Sequence, residues 1–388
     1  MISVAAAKKI IADNILILPS INLPLQDTLQ MKLSEDVYSA VDVPAFPQSS
    51  MDGYAFAYAD WQSKKKLLID GEMQAGSKMA FSLQAGQAVR IFTGAPLPAG
   101  ADTIIMQEKV SLTDKELIIH DESLEKGNSV RSKGSAIKKG ELALSKKSLL
   151  SPGAIGFLAG MGISEVSVFV RPVVSIIVTG KELQQPGMPL AYGEVYESNS
   201  FALKAVLQQL QINDIKLYSA GDDLEEVKQV LIKALADSDM VLLTGGVSVG
   251  DYDFVVQAAE ACGVTKLFHK IKQRPGKPLY FGKKESKLIF GLPGNPSSVL
   301  TCFYEYVLPA LGNDLMVLNV SLGKSFHKPA GLTQFLKGWY DGKTVMPLDA
   351  QESYRMSSFA IANCLIKVDE ETTICKEGEL SEIHLLPF

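Results

Sequence analysis

Between residues 172 and 290, short apolar runs rich in β-branched residues alternate with segments of helical spacing, and this alternation constrains the fold more than any other feature. Pro172-Val173-Val174-Ser175-Ile176-Ile177-Val178 ends at Thr179-Gly180, and 215–219, 240–243 and 288–290 are similar runs. Between them, 199–210 places Leu203, Val206, Leu207 and Leu210 on one face, Asp223 is set to cap a helix through Ala236, and a further helix begins near Phe254. Strands that alternate with helices form a parallel sheet covered on both faces. Ligands of such sheets bind beyond the carboxyl ends of the strands. Three loops are therefore expected to converge: Thr179-Gly180-Lys181-Glu182-Leu183, TGGVSVGDYDF at 244–254, and Gly291-Leu292-Pro293-Gly294-Asn295-Pro296.

The second loop poses a chemical question. Its glycines and hydroxyl residues, with Gly245, Gly246, Ser248 and Gly250 in sequence, let backbone N–H groups approach an anion, yet Asp251 and Asp253 follow at once. The spacing is neither a P-loop nor a dinucleotide fingerprint. The third loop offers Asn295 as an N-cap, Pro296 at the first helical position, and Ser297 and Ser298 in the first turn, before an apolar helix through Leu311. A tight turn and a well-capped buried helix remain the plain readings of these two loops.

The 388 residues imply two to four domains. A net charge of −5 argues against nonspecific nucleic-acid binding, so any anionic ligand must be held by a local cluster. Cys262, Cys302, Cys364 and Cys375 have no zinc-ligand spacing and read as reduced thiols of a cytoplasmic protein. The first 20 residues read as an amphipathic helix, and no apolar stretch is long enough to span a membrane. Residues 40–132 are β-rich and broken by Gly, Pro and Asn; PAFPQSSMDGYAF at 44–56 and FTGAPLPAGADTIIMQE at 92–108 read either as hairpin loops or as a wall of a site with Asp52 and Thr93 pointing in. From about Gly312 the chain reads as strands again.

Taken in order, SSMDGYAF, FTGAPLPAGADTIIMQE, TGKEL, TGGVSVGDYDF, RPGKP and GLPGNPSS resemble the molybdopterin molybdenumtransferase family, which includes MoeA and the E domain of gephyrin. QESYRMSSFAIANCLI at 351–366 is similar to that family's C-terminal signature. The resemblance implies a multidomain α/β plus β fold. It has a N-terminal helix (1–20) on a parallel α/β molybdopterin-binding domain (170–311), a linking domain (21–43 and 133–169), a β-rich second domain (44–132), and a barrel-like C-terminal β domain (312–388). It implies an enzyme that takes adenylylated molybdopterin and molybdate, inserts the metal and releases AMP with Mg2+. It also implies an elongated homodimer whose sites combine the α/β domain of one subunit with the second domain of the other, and contact with a molybdopterin adenylyltransferase.

Carried onto this chain, the resemblance makes Asp52, Thr93, Glu182, Asp239, Asp253 and Lys277 catalytic, with Glu182, Asp239 and Asp253 as magnesium ligands. It assigns substrate binding to Gly245, Gly246, Ser248, Gly250, Lys270, Arg274, Pro293, Gly294, Asn295, Pro296, Ser297 and Ser358. It answers the question of the acidic loop exit, because a divalent cation beside phosphate makes an aspartate favourable there. Four departures stand out: Arg274 where lysine is usual, Lys181 beside Glu182, Gly134-Ser135-Ala136-Ile137 without an acid, and Leu332 in place of an arginine. The last puts the C-terminal domain's contribution in question. Two other readings compete: an adenylyltransferase or nucleotide amidase built on the same α/β domain, and a non-catalytic scaffold.

Overall fold

A computed structural model describes residues 1–77, 81–246 and 254–387. The chain divides into two compact units, Pro19–Val170 and the combination of Met1–Leu18 with Arg171–Phe388.

The larger unit is built on a six-stranded sheet in the order Ile215–Ala220, Val174–Thr179, Met240–Thr244, Lys287–Leu292, Tyr280–Lys284, Thr265–His269. The first four strands are parallel, as the alternating pattern requires. The last two are antiparallel, so the sheet is mixed where a parallel one was expected. Lys284 pairs with Lys287 across a two-residue turn in which Glu285 has φ +54°, and this hairpin reverses the chain without a crossover helix.

Burial on both faces follows from the two-residue period of a strand. Val174, Ile176, Met240, Leu242, Leu288 and Phe290 enter one core. Ile177, Val241, Leu243 and Ile289 enter the other, beneath the helices Leu224–Asp237 and Phe254–Ala261. The first core also receives Val4, Ala7 and Ile11 of the helix Val4–Ala12, whose N-cap Ser3 accepts from the Ala6 N–H at 3.2 Å. Asp223 caps its helix through the N–H groups of Glu225 and Glu226, at 3.0 Å each.

After the sheet, the chain runs through Pro296–Cys302, a π-helical turn over Phe303–Val307, and Leu308–Ala310. A five-stranded closed barrel follows. Thr333–Tyr340 pairs with Thr344–Pro347, that strand with Met316–Leu322, then Leu380–Leu385, then Cys364–Val368, which returns to Thr333–Tyr340. The two-residue strand Gln273–Arg274 joins this barrel sheet in parallel, opposite Thr333 and Gln334. The basic segment is thereby held between the α/β sheet and the barrel.

In the unit Pro19–Val170, a six-stranded sheet runs Thr103–Met106, Gly53–Phe56, Gln87–Ile91, Leu67–Met73, Glu116–Ile119, Val110–Thr113. Tyr54 and Phe56 face one core, and Ala55, Val89 and Ile104 the other. A Cβ at Gly53 would lie 1.9 Å from the Ile105 carbonyl oxygen, so that close strand approach demands glycine. A separate pairing of Ser20–Pro24 with Glu165–Phe169 brings the unit's two chain ends together over a core containing Leu33, Leu158 and Val168. Among the described residues no helix is long and apolar enough to cross a membrane.

Candidate functional site

Register places the site. Thr179 pairs with Ala220, Val178 with Thr244, and Thr244 with Leu292, so four strands end at one edge of the sheet. The loops leaving that edge line a cleft of about 1440 Å³, and the barrel supplies its other wall.

Gly245 and Gly246 adopt φ +88° and +61°. A Cβ at Gly245 would lie 2.6 Å from both the carbonyl and hydroxyl oxygens of Thr179, so only glycine lets this turn lie against its neighbour. The Thr179 hydroxyl donates to the Thr244 carbonyl at 3.1 Å and ties the two loop origins together. Ser248, Gly250, Asp251 and Asp253 lie outside the described residues.

Glu182 is exposed in the cleft, and its carboxylate has no hydrogen bond or ion pair among the described residues. Beside it the Lys181 N–H donates to Asp222 at 3.4 Å. Asp222 leaves the end of the strand Ile215–Ala220 and is half-buried in the cleft lining. It was not among the expected site residues. The signal was the pair Asp222-Asp223, in which one acid caps the helix and leaves the other free to face the strand ends.

Asp239 is placed elsewhere. It precedes the strand Met240–Thr244, so the whole strand, about 16 Å at 3.3 Å per residue, separates it from the Gly245 turn. Its carboxylate accepts from the Val173 N–H at 2.9 Å, its own N–H donates to the Val173 carbonyl at 2.9 Å, and its carbonyl accepts from Leu288 at 3.1 Å. Asp239 therefore pins the amino ends of three strands, and the expected catalytic and metal roles do not fit its position.

The cleft also has cationic lining. Arg274 and Lys277 are exposed in the cleft, on the segment that joins the barrel sheet. Lys270 is outside the cleft lining formed by the described residues; its carbonyl accepts from the Ile2 N–H at 3.2 Å, which links it to the N-terminal segment.

Pro293, Gly294, Asn295 and Pro296 line the cleft. Asn199 donates to the Gly294 carbonyl at 2.9 Å, and its Oδ1 is buried without a partner among the described residues. Asn295 occupies the N-cap position, but its side chain donates to Ser353 Oγ at 2.9 Å instead of capping. One step further, Ser298 reaches the cleft lining, whereas Ser297 is fully buried and its N–H donates to the Ser353 carbonyl at 3.1 Å. Successive helical residues differ by 100° in direction, so the expected role of Ser297 passes to its neighbour.

From the barrel come Leu332, Gln334, Gln351, Glu352, Ser353 and Tyr354. The C-terminal region thus contributes a wall even with leucine at 332. Ser358 does not line it: its buried hydroxyl donates to the Ala350 carbonyl at 2.7 Å and supports the wall from behind. Lys337 does the same more strongly, with Nζ 2.9 Å from the Ala350 carbonyl and 3.2 Å from that of Arg355.

Asp52 and Thr93 belong to the other unit and meet there. One Asp52 oxygen accepts from both the Thr93 N–H and the Thr93 hydroxyl, each at 2.8 Å. These bonds, the backbone one foremost, hold the Asp52 carboxyl below its ordinary range.

The cleft is therefore lined by a glycine turn, two cationic side chains and two carboxylates. Magnesium takes one or two carboxylates and fills its remaining positions with water and phosphate oxygens. Glu182 and Asp222 fit that donor set. Among the described residues no cluster of three or more His, Cys, Asp or Glu forms a self-sufficient metal site.

Three family models match the chain: the MoeA N-terminal region (domain I and II) over 2–162, a probable molybdopterin binding domain over 175–313, and the MoeA C-terminal region (domain IV) over 319–386. A molybdopterin molybdenumtransferase of Haemophilus influenzae is 34% identical over 385 residues, covering 94% of this chain and 93% of the relative. One of Staphylococcus epidermidis is 32% identical over 402 residues, covering 99% and 95%. The crystal structure of the molybdopterin biosynthesis MoeA protein of Pyrococcus horikoshii OT3 superposes with a TM-score of 0.86 at 27% identity, covering 100% of both chains.

Proposed function

Since the chain belongs to the MoeA family of molybdopterin molybdenumtransferases and acts as a transferase in molybdenum cofactor biosynthesis, we propose that it inserts molybdenum at the cleft between its strand-end loops and its barrel, from adenylylated molybdopterin, with release of AMP. The observation that carries this reading is that Arg274 and Lys277, Glu182 and Asp222, and the Gly245–Gly246 turn all line one cleft.

The residues divide the work. The Gly245–Gly246 turn and the Gly294–Asn295 turn present backbone to the phosphates. Arg274 and Lys277 neutralise molybdate and the phosphoryl oxygens, Arg274 with a fork that suits a tetrahedral oxyanion and Lys277 as a point charge. Glu182 and Asp222 would hold magnesium, which supplies positive charge against the phosphate oxygens. The same carboxylates orient a water toward the adenylate phosphorus; its oxygen forms the new P–O bond, its proton passes through a carboxylate to solvent, the anhydride P–O bond breaks with the pterin phosphate as leaving group, and AMP is released.

A homodimer in which Asp52 and Thr93 of one copy serve the cleft of another is part of the proposal. Mixed Asp52→Ala and Lys277→Ala chains should regain activity when subunits exchange; inactivity of proven heterodimers would refute shared sites. The direct test of the reaction is AMP release from adenylylated molybdopterin. It should require both molybdate and magnesium. AMP transfer from ATP to molybdopterin instead would identify an adenylyltransferase, and neither reaction would leave a scaffold.

A further inference from the structure

We propose that Gln273 is the positioning residue for the basic segment, and that together with Tyr306 it sets the affinity of the cleft for its oxyanion substrate. This rests on the reading that Arg274 and Lys277 receive molybdate.

Gln273 is fully buried, and a buried amide is tolerated only when both its ends are hydrogen-bonded. Its Oε1 accepts from the Tyr306 hydroxyl. Its Nε2 donates to the Pro275 carbonyl at 3.0 Å and the Gly276 carbonyl at 3.1 Å. The orientation is forced: the loop carbonyls can only accept, so the NH2 must face them and the oxygen must face the phenol. Burial raises the Tyr306 pKa well above its ordinary value, so the phenol remains a donor.

The two carbonyls belong to the residues between Arg274 and Lys277. Both cationic side chains are long and exposed, and neither has a partner of its own among the described residues. Their placement depends on the backbone beneath them. That backbone is pressed against the helix: at Gly276, with φ +84°, a Cβ would lie 2.4 Å from Cys302 Sγ and 2.8 Å from Gln273 Nε2. Tyr306 belongs to the helical run that begins at the Asn295–Pro296 turn, so one rigid element fixes both the phosphate-side turn and the cationic loop. Gln273 is the link between them.

Gln273→Met keeps length and volume but removes both hydrogen-bonding ends, and Tyr306→Phe removes only the hydroxyl. Molybdate affinity by calorimetry, KM and kcat for molybdenum insertion, and Tm would be measured for each variant, for the double variant and for Lys277→Ala. We expect Gln273→Met to raise the molybdate KM by roughly 10- to 100-fold, more than it lowers kcat. Tyr306→Phe should raise KM by less, and the double variant should be no worse than Gln273→Met, because both act through one amide. The KM for the adenylylated pterin, whose phosphoryl oxygens meet the same two cations, should rise as well, but by less than that for molybdate. An unchanged molybdate KM in folded Gln273→Met, or additive effects in the double variant, would overturn the assignment. If Gln273→Met fails to fold, Tyr306→Phe alone decides by the same criterion. If Lys277→Ala also leaves molybdate affinity unchanged, the fault lies with the anion-binding reading and not with the positioning role.

Discussion

The Lys181 backbone N–H donates to the Asp222 carboxylate, 3.4 Å away, and so joins the ends of two neighbouring strands beside Glu182. This contact fixes which acids belong to the cleft. Glu182 and Asp222 follow their strands, while Asp239 precedes its own.

Asp222→Asn should therefore cut turnover by about 100-fold or more, the usual scale for losing a preorganised electrostatic group, and should weaken magnesium dependence. Asp239→Asn keeps an acceptor for the Val173 N–H and should turn over near the wild-type rate. Steady-state rates across a magnesium titration distinguish them; equal losses in both variants would put Asp239 back into the chemistry.

Thr93 supports Asp52 in its ionised form. Since those hydrogen bonds depress the Asp52 pKa, the carboxylate persists to lower pH than an unassisted one, and their benefit is lost as pH falls through that depressed value. Thr93→Val retains the backbone bond and removes the hydroxyl. The acid limb of the pH–rate profile should move to higher pH, and Thr93→Ser should restore it. An acid limb indifferent to Thr93→Val would remove Asp52 from the rate-determining ionisation.

Lys337 gives a stability signature at the alkaline end of the pH range. Burial pushes its pKa down from 10.5 to about 8, with Glu352 opposing that shift and Arg355 adding to it. Between about pH 8 and 10.5 the unfolded chain holds a proton that the folded lysine has released, so the folded state gains stability as pH rises through that window. The difference in Tm between wild type and Lys337→Met should change with pH across that window and be flat below it. A difference flat throughout would mean that the buried amine titrates normally.

Much of this arrangement was legible in the chain. The runs ending at Val178, Ser219, Leu243 and Phe290 are strands, because β-branched apolar residues on both faces suit a sheet covered twice. Asp223 caps where expected, and the strand-end loops meet at the cleft. What was not legible depended on direction or on distant pairing. Whether an acid beside a strand faces the cleft depends on which end it occupies, and Asp239 and Asp222 were separated by that alone. The hairpin Tyr280–Lys284 to Lys287–Leu292 escaped notice because Gly282 and three charged residues, Lys283, Lys284 and Glu285, interrupt its apolar pattern. Barrel closure rests on pairs such as Val317 with His384, too far apart in sequence for local periodicity to reveal. Burial alone removed Ser297 and Ser358 from the substrate surface.

The most direct test of the account incubates purified protein with adenylylated molybdopterin, magnesium and molybdate, and quantifies pterin-bound molybdenum and AMP together. Wild type should form both in equal amounts. Lys277→Ala should slow both by about 100- to 1000-fold, with stability altered by no more than about 0.5 kcal/mol because the side chain is exposed. Wild-type rates of insertion in folded Lys277→Ala would contradict the claim that this cleft is where molybdenum enters the pterin.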